Sequence, residues 1–298
     1  MSFGGHVKLL PKLTLLLLTF LSATGQAASI EGQIKVMQFN LHNSVFSGDG
    51  SQARAEAALM NKKQLDIIMT EENSTPDQQP RNLLNFGLDK SFGLCGGLSD
   101  ASLFYNTNRW TCEKAITFDV TPNVEFGAGP RKVTIGVLQP KNPKKDLLVL
   151  AATSHWCVTW SWSGHYSYCG SVDHNPNTAH MNDAEIFNKE MRSLMAKPEY
   201  QNALAIFGGD LNSMSSDESI KLVEKMRSFN FLTANPYDAS GKLVPSMGGT
   251  PDLIFYQDAS YNFANKLLLD KTALDPMNHL SDHWGAIVAN FNYITSSY

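Results

Sequence analysis

The chain has 298 residues, of which 43% are hydrophobic, 10% aromatic and 17% charged. That composition can bury a large core and excludes a disordered, collagen-like or coiled-coil protein. Lysine and arginine number 24 against 28 acidic residues, giving a net charge of −4 and a pI near 6.1. No overall positive field therefore draws the molecule towards nucleic acid or an anionic membrane, and any contact with phosphate must come from a local site.

In chain order, the first feature is a targeting signal. His6, Lys8 and Lys12 precede an apolar run from Leu13 to Leu21, followed by the small residues Ser22, Ala23, Gly25, Ala27 and Ala28. This is the order of a secretory signal peptide, here residues 1–27, and it predicts a secreted protein. A short membrane-bound helix that is kept is the other reading. The run is roughly half the length needed to span a bilayer, and nothing later is long or apolar enough for a stable membrane anchor.

The mature chain, 28–298, has no Pro/Ser-rich linker, charge run or fixed repeat, and is expected to be a single domain. Short runs rich in β-branched or aromatic residues predict strands at Ile34 to Phe39, Leu65 to Met69, Ser102 to Tyr105 and Val133 to Leu138. The same pattern recurs at Leu147 to Ala152, Leu204 to Phe207, Leu253 to Tyr256 and Ala286 to Phe291. Helices are predicted over Gln52 to Gln64, Asp183 to Met195 and Asp217 to Phe229. The last begins behind the N-cap candidates Ser215 and Ser216, with Ile220, Val223 and Met226 at helical spacing. Many strands with a few helices imply an α/β (α+β) protein of two packed sheets with helices on their outer faces.

Cys95, Cys112, Cys157 and Cys169 form an even set, and export favours disulfides. Three connectivities are possible, the simplest being the sequence-local pairs Cys95 with Cys112 and Cys157 with Cys169. A zinc site using His155, Cys157, His165 and Cys169 is the rival, without the paired spacing of a structural site.

Chemistry gathers where apolar strands end. Val36-Met37-Gln38-Phe39 stops at Asn40, Ile67-Ile68-Met69-Thr70 at Glu71-Glu72, and the run through Thr153-Ser154 at His155. Ile206-Phe207 stops at Gly208-Gly209-Asp210-Leu211-Asn212. Asp252 heads Leu253 to Tyr256, and Ser281-Asp282-His283 leads into the last predicted strand. One such residue alone is usually a turn or structural residue. As a set, one Asn, one Glu, two Asp-based motifs and two His are types that bind metal or phosphate or move protons, at strand ends that can share one mouth.

From about Ile34 to Phe291 these motifs resemble the metal-dependent endonuclease/exonuclease/phosphatase superfamily, which includes the pancreatic-type deoxyribonuclease. Within it, Lys35-Val36-Met37-Gln38-Phe39-Asn40-Leu41, the Gly-Pro-Arg-Lys-Val-Thr-Ile-Gly stretch around Arg131 and Ser-Asp-His look most like the B subunit of cytolethal distending toxins. The resemblance implies a four-layer α/β sandwich of two mixed sheets flanked by helices. It implies Asn40 and Glu72 as ligands of Mg²⁺, with Mn²⁺ a substitute, and Asp282 as a further acid near the metal. His283 takes the place of the general base oriented by Asp252, and Asp210 that of the group positioning water or metal. Asn212, His155 and Arg131 stand where the family contacts phosphate. Thr70 and Glu71 replace the apolar residue and Gln usual before the metal-binding Glu, so Glu71 competes with Glu72; counting from Asp66 favours Glu72. Pro251 before Asp252 is also unusual and can shift that strand's start.

Trp156, Trp160, Trp162, Tyr166 and Tyr168 crowd the segment after His155. They suit base stacking, a lipid interface, or a disulfide-closed loop packed on itself. The expected function is an exported Mg²⁺-dependent phosphodiesterase cutting DNA, travelling with delivery subunits if it is a toxin component. The alternatives are a phospholipid headgroup as substrate, through sphingomyelin cleavage or phosphoinositide dephosphorylation, and a non-catalytic secreted binding module.

Overall fold

The computed structural model describes residues 31–42, 50–73, 83–97, 99–121, 130–141, 147–157, 161–162, 165–166, 176–213, 215–247, 249–257 and 265–295. The expected signal peptide, Trp160, Tyr168 and Cys169 lie outside them, as do the side chains of Trp162 and Tyr166.

One six-stranded sheet is built from β1 (Gly32–Asn40), β2 (Ile67–Glu71), β3 (Phe92–Leu94), β4 (Ser102–Asn106), β13 (Asn265–Asp275) and β14 (Ala286–Thr295), in the order β13-β14-β1-β2-β4-β3. The other uses β5 (Trp110–Thr121), β6 (Arg131–Pro140), β7 (Val149–His155), β10 (Leu204–Asp210), β11 (Phe231–Thr233) and β12 (Asp252–Gln257), in the order β11-β12-β10-β7-β6-β5. A two-stranded ribbon joins β8 (Ser161–Trp162) to β9 (His165–Tyr166). Each large sheet has a central parallel pair, β1 with β2 and β7 with β10, flanked by antiparallel neighbours.

Three helices cover the outer faces, giving the expected four layers. Helix α1 (Ser51–Asn61) packs Ala53, Ala57 and Met60 on Met37, Phe39, Ile68 and Phe104 of the first sheet. Helices α2 (Pro176–Met195) and α3 (Ser216–Ser228) cover the second, with Phe187, Met191, Leu222 and Met226 against Val133, Phe207 and Phe255. Between the sheets lie Ile34, Val36, Ile67, Met69, Val149, Ala151, Leu204, Ile206 and Ile254.

All eight predicted strands and three predicted helices are present. Helix α2 starts seven residues earlier than predicted, at Pro176, whose fixed φ and missing N–H suit the first helical position. Ser215 is the N-cap of α3, its side chain accepting from the Glu218 N–H at 3.1 Å. Ile220, expected on the apolar stripe, is 49% exposed; the inward face is Ser219, Leu222 and Met226. Among the described residues, β3, β5, β8, β9, β11 and β13 are additions, and no helix is long and apolar enough to cross a membrane. Cys95 and Cys112 form a disulfide. Cys157 is disulfide-bonded too, so it offers no thiolate for zinc.

Candidate metal and phosphate site

Period-two alternation along the central strands builds the site. In β1, Ile34 and Val36 face the second sheet, so Gln38 and Asn40 continue that inner row. In β2 the row is Ile67, Met69 and then Glu71; in β7, Val149, Ala151, Thr153 and then His155; in β10, Leu204, Ile206, Gly208 and then Asp210. Each row is apolar until its end and polar at the mouth. Register aligns the ends: Asn40 lies opposite Glu71, and His155, Asp210 and Asp252 form one line across β7, β10 and β12. Pro251 leaves that line intact and accepts from the Leu211 N–H at 2.7 Å.

Gly209 allows the close strand pairing behind Asp210, because a Cβ there would stand 1.9 Å from the Ser154 carbonyl oxygen. Two turns then adopt the left-handed region: Glu72 at φ 58° and Asn212 at φ 52°. Asn tolerates this conformation, whereas Glu adopts it at a cost on the order of 1 kcal/mol. The turn separates two consecutive carboxylates. Glu71 is fully buried between the sheets, accepting from Gln38 Nε2 at 2.7 Å and from Thr153 Oγ1 at 3.0 Å. Glu72 is half-buried and accepts from Asn40 Nδ2 at 3.1 Å.

Asp210 Oδ2 is the hub. It accepts from Asn40 Nδ2 at 2.7 Å and lies 3.6 Å from both His155 Nε2 and His283 Nε2. Each imidazole is fixed from behind by a carboxylate on Nδ1: His283 by Asp252 Oδ2 and His155 by Asp100 Oδ2, both at 2.6 Å. Burial disfavours the charged form of each ring, but the acids outweigh it. Asp252, then Asp210 and Asp282, hold His283 up to about 10, and Asp100 and Asp210 hold His155 up to about 9 despite Arg131. Burial first, then Asp252, pushes the Glu71 carboxyl up to about 8.

Two groups have the donor chemistry for a cation. Glu72, His155 and Asp210 offer ligand atoms within 4.8 Å of one another, and so do Asp210, Asp252 and His283. In the second group the imidazole and Asp252 already hold each other. The first joins two carboxylates, oxygen donors of the kind Mg²⁺ or Mn²⁺ takes; the neighbouring Asn40 turns its Nδ2 to both of them, while its Oδ1 accepts from the His42 N–H at 2.8 Å.

The other expected residues divide. Asn212 donates its backbone N–H to Asp210 Oδ1 at 2.9 Å and its Nδ2 to the Trp156 carbonyl at 2.8 Å. Arg131 Nη1 meets Asp100 Oδ2 at 2.5 Å, which ties it to His155 through a shared carboxylate. Asp282 belongs to neither cation group; it pairs with His42 Nδ1 at 2.5 Å and approaches His283 Nε2 only to 4.0 Å. Trp156 is not a substrate-facing aromatic. It is fully buried beside His180 and Phe207. Asp66 sits away from the mouth at the start of β2, accepting from the Lys35 N–H, Trp110 Nε1 and Arg109, a structural anchor.

Asp100 and Gln38 were not singled out from sequence. Asp100 follows no strand and sits in a Gly/Ser-rich turn, so its only signal is a position two residues ahead of β4. Gln38 interrupts the otherwise apolar stretch Val36-Met37-Gln38-Phe39, which is signal enough to ask what a buried amide does there.

No protein-family model and no curated protein matches the chain. Solved structures do. An endonuclease/exonuclease/phosphatase family protein from Bacteroides thetaiotaomicron has a TM-score of 0.58 at 15% identity, over 89% of this chain and 99% of that one. D. rerio TDP2 complexed with a single-strand DNA product gives 0.58 at 14%, over 88% and 100%. A mannosyl-6-phosphatase from Bacteroides thetaiotaomicron gives 0.56 at 15%, over 87% and 99%. At such identities the likeness is one of architecture, and the chain has the α/β sandwich fold of endonuclease/exonuclease/phosphatase proteins.

Proposed function

We propose that the protein is an exported, divalent-metal-dependent phosphodiesterase that cuts DNA, in the manner of the B subunit of cytolethal distending toxins. The observation that carries the reading is the pair of carboxylate-backed imidazoles whose Nε2 atoms both stand 3.6 Å from Asp210 Oδ2, beside Glu72 and Asn40. Structural neighbours that include a DNA-product complex and a phosphatase support phosphate chemistry on this scaffold.

In this reading Glu72 and Asp210, with Asn40 beside them, would hold a divalent cation, and that cation when bound would supply charge neutralisation at the phosphoryl and leaving oxygens. Without a cation His283 is held charged, so it would act as base only once a cation on Asp210 has drawn away one of the acids that hold its second proton. Asp252 then keeps the remaining proton on Nδ1, and Nε2 would accept one from the attacking water. Asp210 orients that water. His155, kept protonated by Asp100, donates from Nε2 to a phosphate oxygen. Asn212 has a second amide hydrogen beyond the one given to Trp156, and Arg131 supplies a fixed positive charge.

Purified mature protein incubated with supercoiled plasmid, sphingomyelin and a phosphoinositide, each with Mg²⁺ and with chelator, tests the reading. The expected result is metal-dependent nicking absent in His283→Ala. Phosphocholine or phosphate release without nicking would move the substrate to lipid, and no turnover with no Mg²⁺ or Mn²⁺ binding would leave a binding module.

A further inference from the structure

Asp252 orients His283 only if something orients Asp252. Its Oδ2 is taken by His283 Nδ1 at 2.6 Å, and its Oδ1 accepts from Gln38 Nε2 at 2.7 Å. The same Gln38 nitrogen donates to Glu71 Oε2 at 2.7 Å, and Glu71 Oε1 accepts from Thr153 at 3.0 Å. Gln38, Glu71 and Asp252 are all fully buried. Gln38 and Glu71 belong to one sheet, Asp252 and Thr153 to the other, so the amide ties the two sheets together directly beneath the mouth.

An amide nitrogen has two hydrogens, and both are spent on acid side-chain oxygens, one of Asp252 and one of Glu71; Gln38 Oε1 is buried without a partner among the described residues. A side chain placed only to fill space would be apolar at this position, because leaving a buried carbonyl unpaired costs roughly 1–3 kcal/mol. Gln38 gives up that acceptor to place its donors. Leu or Met would fill the volume and leave Asp252 free to rotate about its side-chain bonds.

We infer that Gln38 is the positioning residue of the His283–Asp252 pair, with Glu71 as the acceptor that fixes the amide's orientation. The inference rests on the proposed phosphodiesterase reading for its catalytic consequence, but its structural content stands apart from it. Gln38 touches neither substrate nor cation. It holds Asp252 so that the His283 Nδ1–H bond stays short and Nε2 faces Asp210. Glu71 needs only an acceptor oxygen to do its part, so a neutral amide serves in its place.

The test uses three variants of the mature protein and two readouts. In Gln38→Leu, kcat for the substrate turned over by the wild type should fall roughly 10- to 100-fold, the range for losing a group that orients an active-site imidazole, with KM and Mg²⁺ dependence unchanged. Glu71→Gln should stay within about threefold of wild type, by the same reasoning. Independently of turnover, proton NMR of the chelated protein should show a hydrogen-bonded His283 Nδ1–H resonance, assigned by its absence in His283→Ala. It should be kept in Glu71→Gln and lost or shifted upfield in Gln38→Leu. If Gln38→Leu does not fold, Gln38→Asn keeps the amide but is one methylene too short to span both carboxylates, and the same losses are expected. An unshifted resonance in the folded Gln38 variant overturns the inference. If the wild type hydrolyses nothing, the phosphodiesterase reading fails while the resonance still decides the positioning role.

Discussion

At the residue scale, three carboxylates do different work because their surroundings differ. Asp210 faces both imidazoles, Asp252 backs one of them, and Glu71 is sealed between the sheets. Removing the proposed base in His283→Ala, or the hub in Asp210→Ala, should cost on the order of 10²-fold or more in turnover. Asp252→Asn should cost less, since it spoils the tautomer while keeping the ring near its place; a larger loss in Asp252→Asn than in His283→Ala would contradict these roles. Asp100, reached only through the fold, makes a further prediction. Asp100→Asn deprives His155 and Arg131 of their common partner and should weaken phosphate contact, seen as reduced inhibition by inorganic phosphate. Cation binding is also linked to protons. A dication on Asp210 draws away one of the carboxylates that hold His283 and His155 charged, so Mg²⁺ or Mn²⁺ should bind more tightly as pH rises, with proton release. Calorimetry in buffers of different ionisation enthalpy reads this, and pH-independent affinity would contradict it.

At the element scale, the strand ends were legible because each central strand is an apolar run with one chemical residue at its last inward position. The sequence rows Ile34-Val36-Gln38-Asn40 and Leu204-Ile206-Gly208-Asp210 carry that signal. Strands β5 and β13 were not legible. Their exposed residues mix Lys, Glu, Thr and Asp with Leu268 and Ala273, their burial alternates weakly, and register shifts at Cys112/Lys114 and Leu269/Lys271 break the period-two pattern. Pairing across the sheet, not local pattern, makes them strands. The Glu71 and Glu72 alternatives were likewise beyond sequence, because the left-handed turn at Glu72 sends the two side chains apart. The close approach of β10 to β7 gives a test at this scale. Gly209→Ala drives a methyl group into the Ser154 carbonyl and should lower unfolding stability by roughly 1–3 kcal/mol, read by denaturant titration. An unchanged midpoint would mean that the two strands separate more easily than this pairing allows.

At the scale of the whole molecule, a small positive contribution from histidines is set against an acidic chain, and its stability should follow pH accordingly. His283 and His155 have folded values of about 10 and 9 against an ordinary 6.5. Their contribution is complete below about 6.5 and is lost as pH rises through 9 to 10. Glu71, near 8 against an ordinary 4.5, stays protonated in the folded protein while the unfolded chain ionises, so it also lowers stability as pH rises from 4.5 through 8. All three slope the same way. The chelated protein should therefore melt at progressively lower temperature from pH 6 to pH 10, a trend that His283→Ala flattens; a rising melting temperature would contradict the buried pairings.

The account depends on a single cation seated where the ends of β1, β2 and β10 converge. Crystals soaked with Mn²⁺ and measured at its absorption edge test this most directly. The account predicts one strong anomalous peak within coordination distance of Glu72, with Asn40 or Asp210 completing its protein shell, and its loss in Asp210→Ala. A peak held elsewhere, or none at saturating Mn²⁺, would contradict it.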